Sequence, residues 1–254
     1  MAVVNANANA YAYANPKAKH ALVIGARGGI GAATLARLDA QGWRTTALDQ
    51  ALALAAPAAV ADAIAIDLAN PASIAQAFSE VGRRVSLHGP IDLLALCSGI
   101  VDTEKVASVS LAHWNTMLAT NLTGPFLCCQ HSYPLLRDGA RIVLIGSLAG
   151  RTGGVLTGAA YAATKGGIES LAKSMAQELA PRRITVNVVA PGAIDTPMLR
   201  AHSAERKKGM AGATPLQRLG RPEEVASAIL YLASADAGFI TGSVMHVNGG
   251  IRMD

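Results

Sequence analysis

The sequence predicts a single doubly wound α/β domain, one parallel sheet with helices on both faces. Three observations carry this. Short apolar runs of strand length recur along the chain and alternate with helical segments. The first run, Ala21 to Gly25, passes through a glycine-rich turn directly into a helical stretch. Later runs end in small or polar residues, Ser98-Gly99, Gly146-Ser147 and Pro191-Gly192, which places polar chemistry along one edge of such a sheet.

Each element follows from its residues. Ala21 to Gly25 suits a buried parallel strand, and Ala32 to Gln41 has helical character. Arg44 to Leu48 is the next strand and ends at Asp49. Gln50 to Ala61 is Ala-rich and interrupted by Pro57, so a short or poorly formed crossover helix is expected. Ile64 to Leu68 is a third strand. Pro71 to Val81 is a helix with proline at its start, where it is tolerated. Ile91 to Cys97 is a fourth strand. Leu111 to Leu136 reads as helix, kinked near Gly124-Pro125. Arg141 to Ile145 is the fifth strand, followed by the glycine-rich Gly150 to Gly158 and a long helix over Tyr161 to about Ala180. Ile184 to Val189 is the sixth strand. Pro197 to Gly212 is polar and basic, which suits a lid. Pro222 to Ala233 is a helix and Val244 to Val247 a last strand.

Composition bounds the function. The 254 residues suffice for one large domain, and 51% are apolar but only 4% aromatic. Such a chain packs helices closely on a sheet. The formal net charge is +5. No Lys/Arg run is interleaved with aromatics, so nucleic acid is not expected as a partner. Arg206-Lys207-Lys208 reads as a solvated helix end. No apolar run is long enough to span a bilayer, and no membrane partner is expected. Cys97, Cys128 and Cys129 have neither disulfide nor metal-ligand spacing. They read as buried reduced thiols, which implies a cytoplasmic setting and no metal site. Met1 to Lys19 differs in character. Asn5 to Asn15 alternates Ala with Asn or Tyr and lacks the layout of a signal peptide. A low-complexity arm is expected, with an extended strand lying on a neighbour as the other reading.

Two groups of residues carry chemistry. Gly25-Ala-Arg-Gly-Gly-Ile-Gly31 joins a strand to a helix N-terminus, where converging N–H groups and the helix dipole favour a pyrophosphate. Glycines let the backbone approach such a ligand closely. Asp49 lies 18 residues past Gly31, where an acid meets an adenosine ribose. A carboxylate there accepts hydrogen bonds from both ribose hydroxyls and repels the extra phosphate of NADP, so NAD is expected. Arg27 argues the other way, since a guanidinium in the loop suits that phosphate. Asp67 and Leu68, at the end of the third strand, are placed to flank an adenine. The second group centres on Tyr161 and Lys165, four residues apart and so on one helix face. A nearby ammonium is expected to lower the phenol pKa, which suits proton exchange with an alcohol or carbonyl. Ser147, at a strand end, is placed to donate to a substrate oxygen. Asn121, at a helix distortion, is placed to hold a water or to make a structural hydrogen bond.

With these residues in hand, the chain from about Ala21 to Gly250 resembles the short-chain dehydrogenase/reductase family. Gly25, Gly29 and Gly31 match its TGxxxGxG loop, with Ile24 in place of Thr. Tyr161 and Lys165 match YxxxK, Ser147 the catalytic serine, and Asn121 (in Thr120-Asn121-Leu122) the asparagine of the same tetrad. Asn187, Pro191-Gly192 and Thr196 match the segment that meets nicotinamide. The stretches Pro215 to Glu224 and Ile240-Thr-Gly-Ser243 are also similar.

The resemblance implies a Rossmann fold and hydride transfer between NAD(H) and a secondary alcohol or ketone. Asn121, Ser147, Tyr161 and Lys165 would be catalytic. Gly25, Arg27, Gly29, Ile30, Gly31, Asp49, Asp67, Leu68, Gly99, Pro191, Gly192, Ile194 and Thr196 would contact the cofactor, together with Tyr161 and Lys165. Leu148, Arg151, Val155, Leu156 and Met198 would line the substrate pocket. A homotetramer is also implied. The rival readings are an NADPH-dependent carbonyl or 3-oxoacyl reductase using Arg27, a dihydrodiol dehydrogenase, to which Asp49 and the short crossover bear a faint similarity, and a non-catalytic NAD-binding regulator. Two departures stand out. The family's NNAG is Leu96-Cys97-Ser98-Gly99 here, which removes an asparagine that braces the central strands. Ser147 and Tyr161 are one residue further apart than usual, which reshapes the substrate side.

Overall fold

The computed structural model describes residues 18–50, 62–154, 156–200 and 202–253. The expected arm, apart from Ala18 and Lys19, the crossover after Gln50 and pocket residue Val155 lie outside the described residues.

Seven parallel strands form one sheet in the order β3-β2-β1-β4-β5-β6-β7. They are β1 (His20–Ile24), β2 (Arg44–Asp49), β3 (Ala63–Ala65), β4 (Ile91–Leu96), β5 (Leu136–Ile145), β6 (Thr185–Pro191) and β7 (Val244–Val247). The order reverses between β1 and β4. A crevice opens there at the carboxyl ends of the strands, the place where ligands bind in such sheets.

Strand side chains alternate between the two faces, and each face has its own core. Leu22, Ile24, Leu94, Leu96, Ile142 and Leu144 belong to one core, with helices α2 (Pro71–His88), α4 (Gly124–Ser132) and α6 (Ala159–Leu179). Ala21, Val23, Leu93, Ala95, Val143 and Ile145 belong to the other, with α1 (Gly29–Ala40) and α9 (Pro222–Ala233). Burial on both faces explains why these strands read as continuous apolar runs. The remaining α-helices among the described residues are α3 (Leu111–Leu118), α5 (Ala149–Thr152), α7 (Pro197–Arg200) and α8 (Ala204–Ala213).

Several boundaries differ from expectation. β3 is shorter than Ile64 to Leu68, because only Ala63 to Ala65 have a partner strand in β2. α2 runs on to His88, where Gly89 at φ 91° ends it. The helix expected to reach Leu136 ends at Ser132, and Leu136 already pairs with Ile91 at the start of a longer β5. The kink expected at Gly124-Pro125 is a full π-helical turn, Ala119–Thr123, with Asn121 inside it. Pro125 has no N–H to offer the carbonyl four residues back, that of Asn121, so the α-helical ladder cannot pass through this point. Residues 197–212, expected as a lid, carry the two helices α7 and α8; Ser203 caps α8, accepting the Arg206 N–H at 3.2 Å.

Candidate active site

The glycine turn sits at the crevice, between β1 and α1. Gly25 has φ +82° and packs against the end of β4; a Cβ on it would lie 2.5 Å from the Ser98 nitrogen. A Cβ on Gly31 would lie 2.0 Å from the Gly25 carbonyl oxygen. Neither position tolerates a side chain, so the turn folds this tightly only with glycine. A Cβ on Gly29 would meet the Thr196 methyl at 2.8 Å, which brings the segment after β6 against the loop. Ile30 is half-buried and packs on the second core. No side chain caps α1, and no acid occupies its first turn. The end of α1 thus presents backbone donors and a positive dipole to an anion. The turn therefore fits a dinucleotide pyrophosphate by its own geometry.

Asp49 ends β2 beside this turn. Its Oδ2 accepts the backbone N–H of Arg27 at 2.9 Å, so the carboxylate braces the loop. Arg27 itself is exposed. Asp67 is half-buried, and its Oδ1 accepts the Ala69 N–H at 2.9 Å. Leu68 departs from expectation. The residue is 7% exposed and its side chain belongs to the first core. Its carbonyl lies 2.5 Å from where a Cβ on Gly124 would be, which ties it to the π-helical turn.

On the other side of the switch point the tetrad residues converge. Asn121 is fully buried. Its Oδ1 accepts the Ile100 N–H at 2.9 Å, and its Nδ2 donates to the Ile100 carbonyl at 2.8 Å. Nδ2 also reaches Thr164 Oγ1 at 3.4 Å, and that hydroxyl donates to the Tyr161 carbonyl at 2.7 Å. The structural hydrogen bond is therefore real, and it fastens the loop after β4 to α6. A Cβ on Gly99 would sit 3.2 Å from Asn121 Oδ1 and 3.3 Å from Lys165 Nζ. Glycine keeps this corner open.

Tyr161 and Lys165 lie on one face of α6, with Lys165 Nζ 5.8 Å from the centre of the tyrosine ring. Ser147 follows β5, and its hydroxyl hydrogen-bonds the Tyr161 side chain. Ser147 Oγ also accepts the Ala149 N–H at 3.1 Å, which orients the serine. The expectation that Lys165 lowers the phenol pKa is not met in this arrangement. Burial raises the Tyr161 pKa, and the Ser147 hydrogen bond opposes that rise. The Lys165 ammonium points instead at the Ile145 carbonyl, 2.9 Å away. Burial depresses the Lys165 pKa to about 8, with Cys97 nearby acting in the opposite sense.

This burial has a testable cost. A free lysine titrates near ~10.4, so between pH 8 and 10.4 the unfolded chain binds more protons and stability rises with pH. Below that window the folded protein carries the whole penalty of a buried cation. Lys165→Met is therefore expected to raise Tm at pH 7 by about 2–4 °C, the shift that ~1 kcal/mol makes in a domain this size. The gain should shrink as pH climbs towards 10. Thermal melts of both proteins across this range check it, and a gap that widens with pH contradicts it.

The segment after β6 is held close to the crevice. Gly192 donates its N–H to the Val247 carbonyl at 3.0 Å, and Pro191 accepts the Leu148 N–H at 3.0 Å. Thr196 is half-buried, and its N–H donates to the Ile194 carbonyl at 2.8 Å. The Ile194 side chain is buried in the second core against Gly220, and it lines a cavity shared with Thr214, Gly220 and His246. Among the expected pocket residues, Leu148 is half-buried, while Leu156 and Met198 are 56% and 49% exposed. Arg206 of α8 donates to the Leu156 carbonyl at 3.3 Å, so the segment expected as a lid meets a residue expected in the pocket. Arg151 pairs with Glu169, a buried carboxylate one turn beyond Lys165 on α6.

Sequence reasoning missed Thr164, Glu169 and the Ile145 carbonyl. Tyr161, Lys165 and Glu169 recur every four residues, a signal that could have found the glutamate. The carbonyl left no signal, because every residue carries one. The thiols are free, with Cys128 and Cys129 buried and Cys97 partly exposed at the crevice. Among the described residues no cluster of His, Cys, Asp and Glu could hold a metal ion, and no helix is long and apolar enough to cross a membrane.

Comparison with known proteins agrees with this geometry. The family model described as enoyl-(acyl carrier protein) reductase matches residues 25–252. The 3-oxoacyl-[acyl-carrier-protein] reductase of Aquifex aeolicus is 39% identical over 244 residues, covering 92% of this chain and 97% of that protein. The Escherichia coli protein of the same name is 36% identical over 248 residues, covering 94% and 99%. The solved short-chain dehydrogenase/reductase from Brucella melitensis, described as a glucose/ribitol dehydrogenase, superposes with a TM-score of 0.83 at 34% identity, covering 93% of this chain and 97% of that one. With its glycine turn at the switch point and its serine, tyrosine, lysine and asparagine gathered beyond it, this chain belongs to the short-chain dehydrogenase/reductase family and is an oxidoreductase of that family.

Proposed function

We propose that the chain interconverts a secondary alcohol and a ketone, with NAD(H) as the partner in hydride transfer. The observation that carries this reading is the Ser147–Tyr161 hydrogen bond facing the corner where Gly99, Asn121 and Lys165 meet. When bound, the nicotinamide supplies or accepts the hydride. Tyr161 gives its phenolic proton to the developing alkoxide in reduction and takes it back in oxidation. Ser147 holds the same oxygen and stabilises its charge. Lys165, Gly99 and the Thr196 segment bind and orient the nicotinamide riboside, and the glycine turn holds the pyrophosphate. Asn121 fixes the loop after β4 beside Lys165.

Asp49 supports NAD over NADP. A phosphate on the ribose would meet a carboxylate that already accepts from the loop backbone. The rival is an NADPH-dependent 3-oxoacyl reductase using Arg27, favoured by the names of the relatives. The exposed apolar rim of Leu156, Met198, Ile100 and Val101 supports a substrate with an apolar group beside its carbonyl, and this suits either reading. Initial rates with NADH and NADPH, on acetoacetyl-CoA and on simple ketones, separate the two. A clear NADH preference is expected, and Asp49→Ser is expected to reverse it by about tenfold or more, the scale of one charged contact. A wild-type preference for NADPH contradicts the use of Asp49. Exposed Phe126 on α4 and Phe239 before β7 support the homotetramer that the family resemblance implies. The unpaired cysteines support a reducing, cytoplasmic setting.

A further inference from the structure

A second tie to the Tyr161 helix is not used by the proposed chemistry. It runs through Asp102, in the loop after β4. The Asp102 side chain is 5% exposed, and its Oδ2 meets His113 Nε2 of α3 at 2.8 Å. Its other oxygen, Oδ1, is buried with no hydrogen-bond partner among the described residues. That oxygen lies 2.0 Å from where a Cβ on Gly158 would be, so the carboxylate packs directly on the Gly158 backbone. The Asp102 carbonyl accepts the Gly158 N–H at 2.8 Å. Gly158 is the N-cap of α6, a helix with no side-chain cap and no acid in its first turn. Its carbonyl accepts the Ala162 N–H at 3.1 Å and so closes the turn that holds Tyr161. Asp102 thus holds the start of this helix from a distant loop, through its carbonyl and through the packing of its side chain on Gly158.

We propose that Asp102, held by His113, is a positioning residue that sets the first turn of α6 and with it the place of the Tyr161 hydroxyl. The turn is fastened to the α3 side at two points. One is the Asn121–Thr164 link to the Tyr161 carbonyl. The other is the His113–Asp102–Gly158 link to the helix start. With only the first, the turn can pivot about Thr164. A displacement of about 1 Å at a reacting group can cost ~100-fold in rate while leaving binding alone. The link lies on the substrate side of the crevice, away from the glycine turn, so its loss should spare dinucleotide affinity. The inference rests on the proposed role of Tyr161.

The test uses the full chain. Asp102→Ala is expected to lower kcat for acetoacetyl-CoA reduction by about tenfold to a hundredfold. NADH affinity, read by the fluorescence of the bound nucleotide, should stay within about twofold, since no dinucleotide-binding group is touched. Amide exchange over residues 158–162 should quicken. Asp102→Asn, which can still meet His113, should recover most of the lost kcat and of the protection. A kcat within twofold of wild type in Asp102→Ala overturns the proposal. So does an equal loss of nucleotide affinity, or an asparagine variant no better than alanine. Should Asp102→Ala not fold, His113→Ala and His113→Gln decide by the same readings, with glutamine as the rescuing variant. The two ideas fail differently. An active Tyr161→Phe protein refutes the acid–base role, whereas an inactive Tyr161→Phe beside a fully active Asp102→Ala refutes only the positioning.

Discussion

Replacing Tyr161 by phenylalanine is expected to lower kcat by about 10²–10⁴-fold while NADH still binds. The expectation follows from what the substitution removes and what it leaves. The phenolic oxygen is the group of Tyr161 that meets Ser147, so its loss removes that contact and leaves the substrate oxygen without a proton donor. The fold's own hold on this turn is untouched. Thr164 donates to the backbone carbonyl of residue 161, and Asn121 reaches Thr164, whichever ring is present. Lys165 still donates to the Ile145 carbonyl. Stability should therefore change little, and the loss should appear in kcat with NADH affinity preserved. Steady-state kinetics with fluorescence binding of NADH check both halves. Turnover undiminished in this variant would remove Tyr161 from the chemistry.

The second large effect is expected at Gly31. Its missing Cβ would lie 2.0 Å from the Gly25 carbonyl oxygen, 2.8 Å from the Gly25 carbonyl carbon and 3.1 Å from the Ala26 Cα. All three are backbone atoms, so no side chain can rotate away to make room. Gly25 cannot retreat either, since its own Cα packs on the Cys97–Ser98 backbone and its N–H donates to the Leu48 carbonyl at 2.8 Å. Gly31→Ala must therefore open the turn or shift the start of α1. Forced overpacking of this kind costs about 1–3 kcal/mol. The donors aimed at the pyrophosphate move with it, so NADH affinity should fall about tenfold to a hundredfold, together with a lower Tm. Gly82→Ala is the matched control. Gly82 lies within α2, and a Cβ there meets nothing within 4 Å. That substitution should raise stability by roughly 0.8–1 kcal/mol, the helix propensity gained, with binding unchanged. Thermal melts and NADH titrations of the two variants make the comparison. Equal behaviour would show that crowding at Gly31 is not what the turn depends on.

Much of the fold was legible because its signals are local. The central strands β1, β4 and β6 are apolar runs buried on both faces, and the helices are bounded by features such as Pro71, Pro222 and Gly89 that act within one turn. The errors fell where a long-range partner decides the boundary. β3 stops where β2 ceases to pair with it, and β5 begins early because Ile91 meets Leu136. The same division holds in the site. Gly25, Gly29, Gly31, Asp49, Ser147, Tyr161 and Lys165 stand out by residue type and spacing. Nothing in the spacing of Arg151 announces its partner, Glu169 on another helix. Leu68, expected beside an adenine, has its side chain in the core, which its sequence position does not announce.

The sequence by itself determined the doubly wound sheet, the glycine turn, and the side chains available for acid–base chemistry. These depend on apolar periodicity, on the absence of a Cβ, and on which functional groups are present, all of which are written residue by residue. Only the tertiary structure decided how those groups are poised. Lys165 is turned towards the Ile145 carbonyl, its pKa depressed by burial, while the Tyr161 phenol is raised by the same cause and steadied by Ser147. Asn121 is spent on the Ile100 backbone, and Asp102 is brought to the start of a helix that begins 56 residues later at Gly158 in the chain. Desolvation and hydrogen-bond direction depend on what surrounds a group in three dimensions, and for these residues the surroundings come from segments far away in sequence.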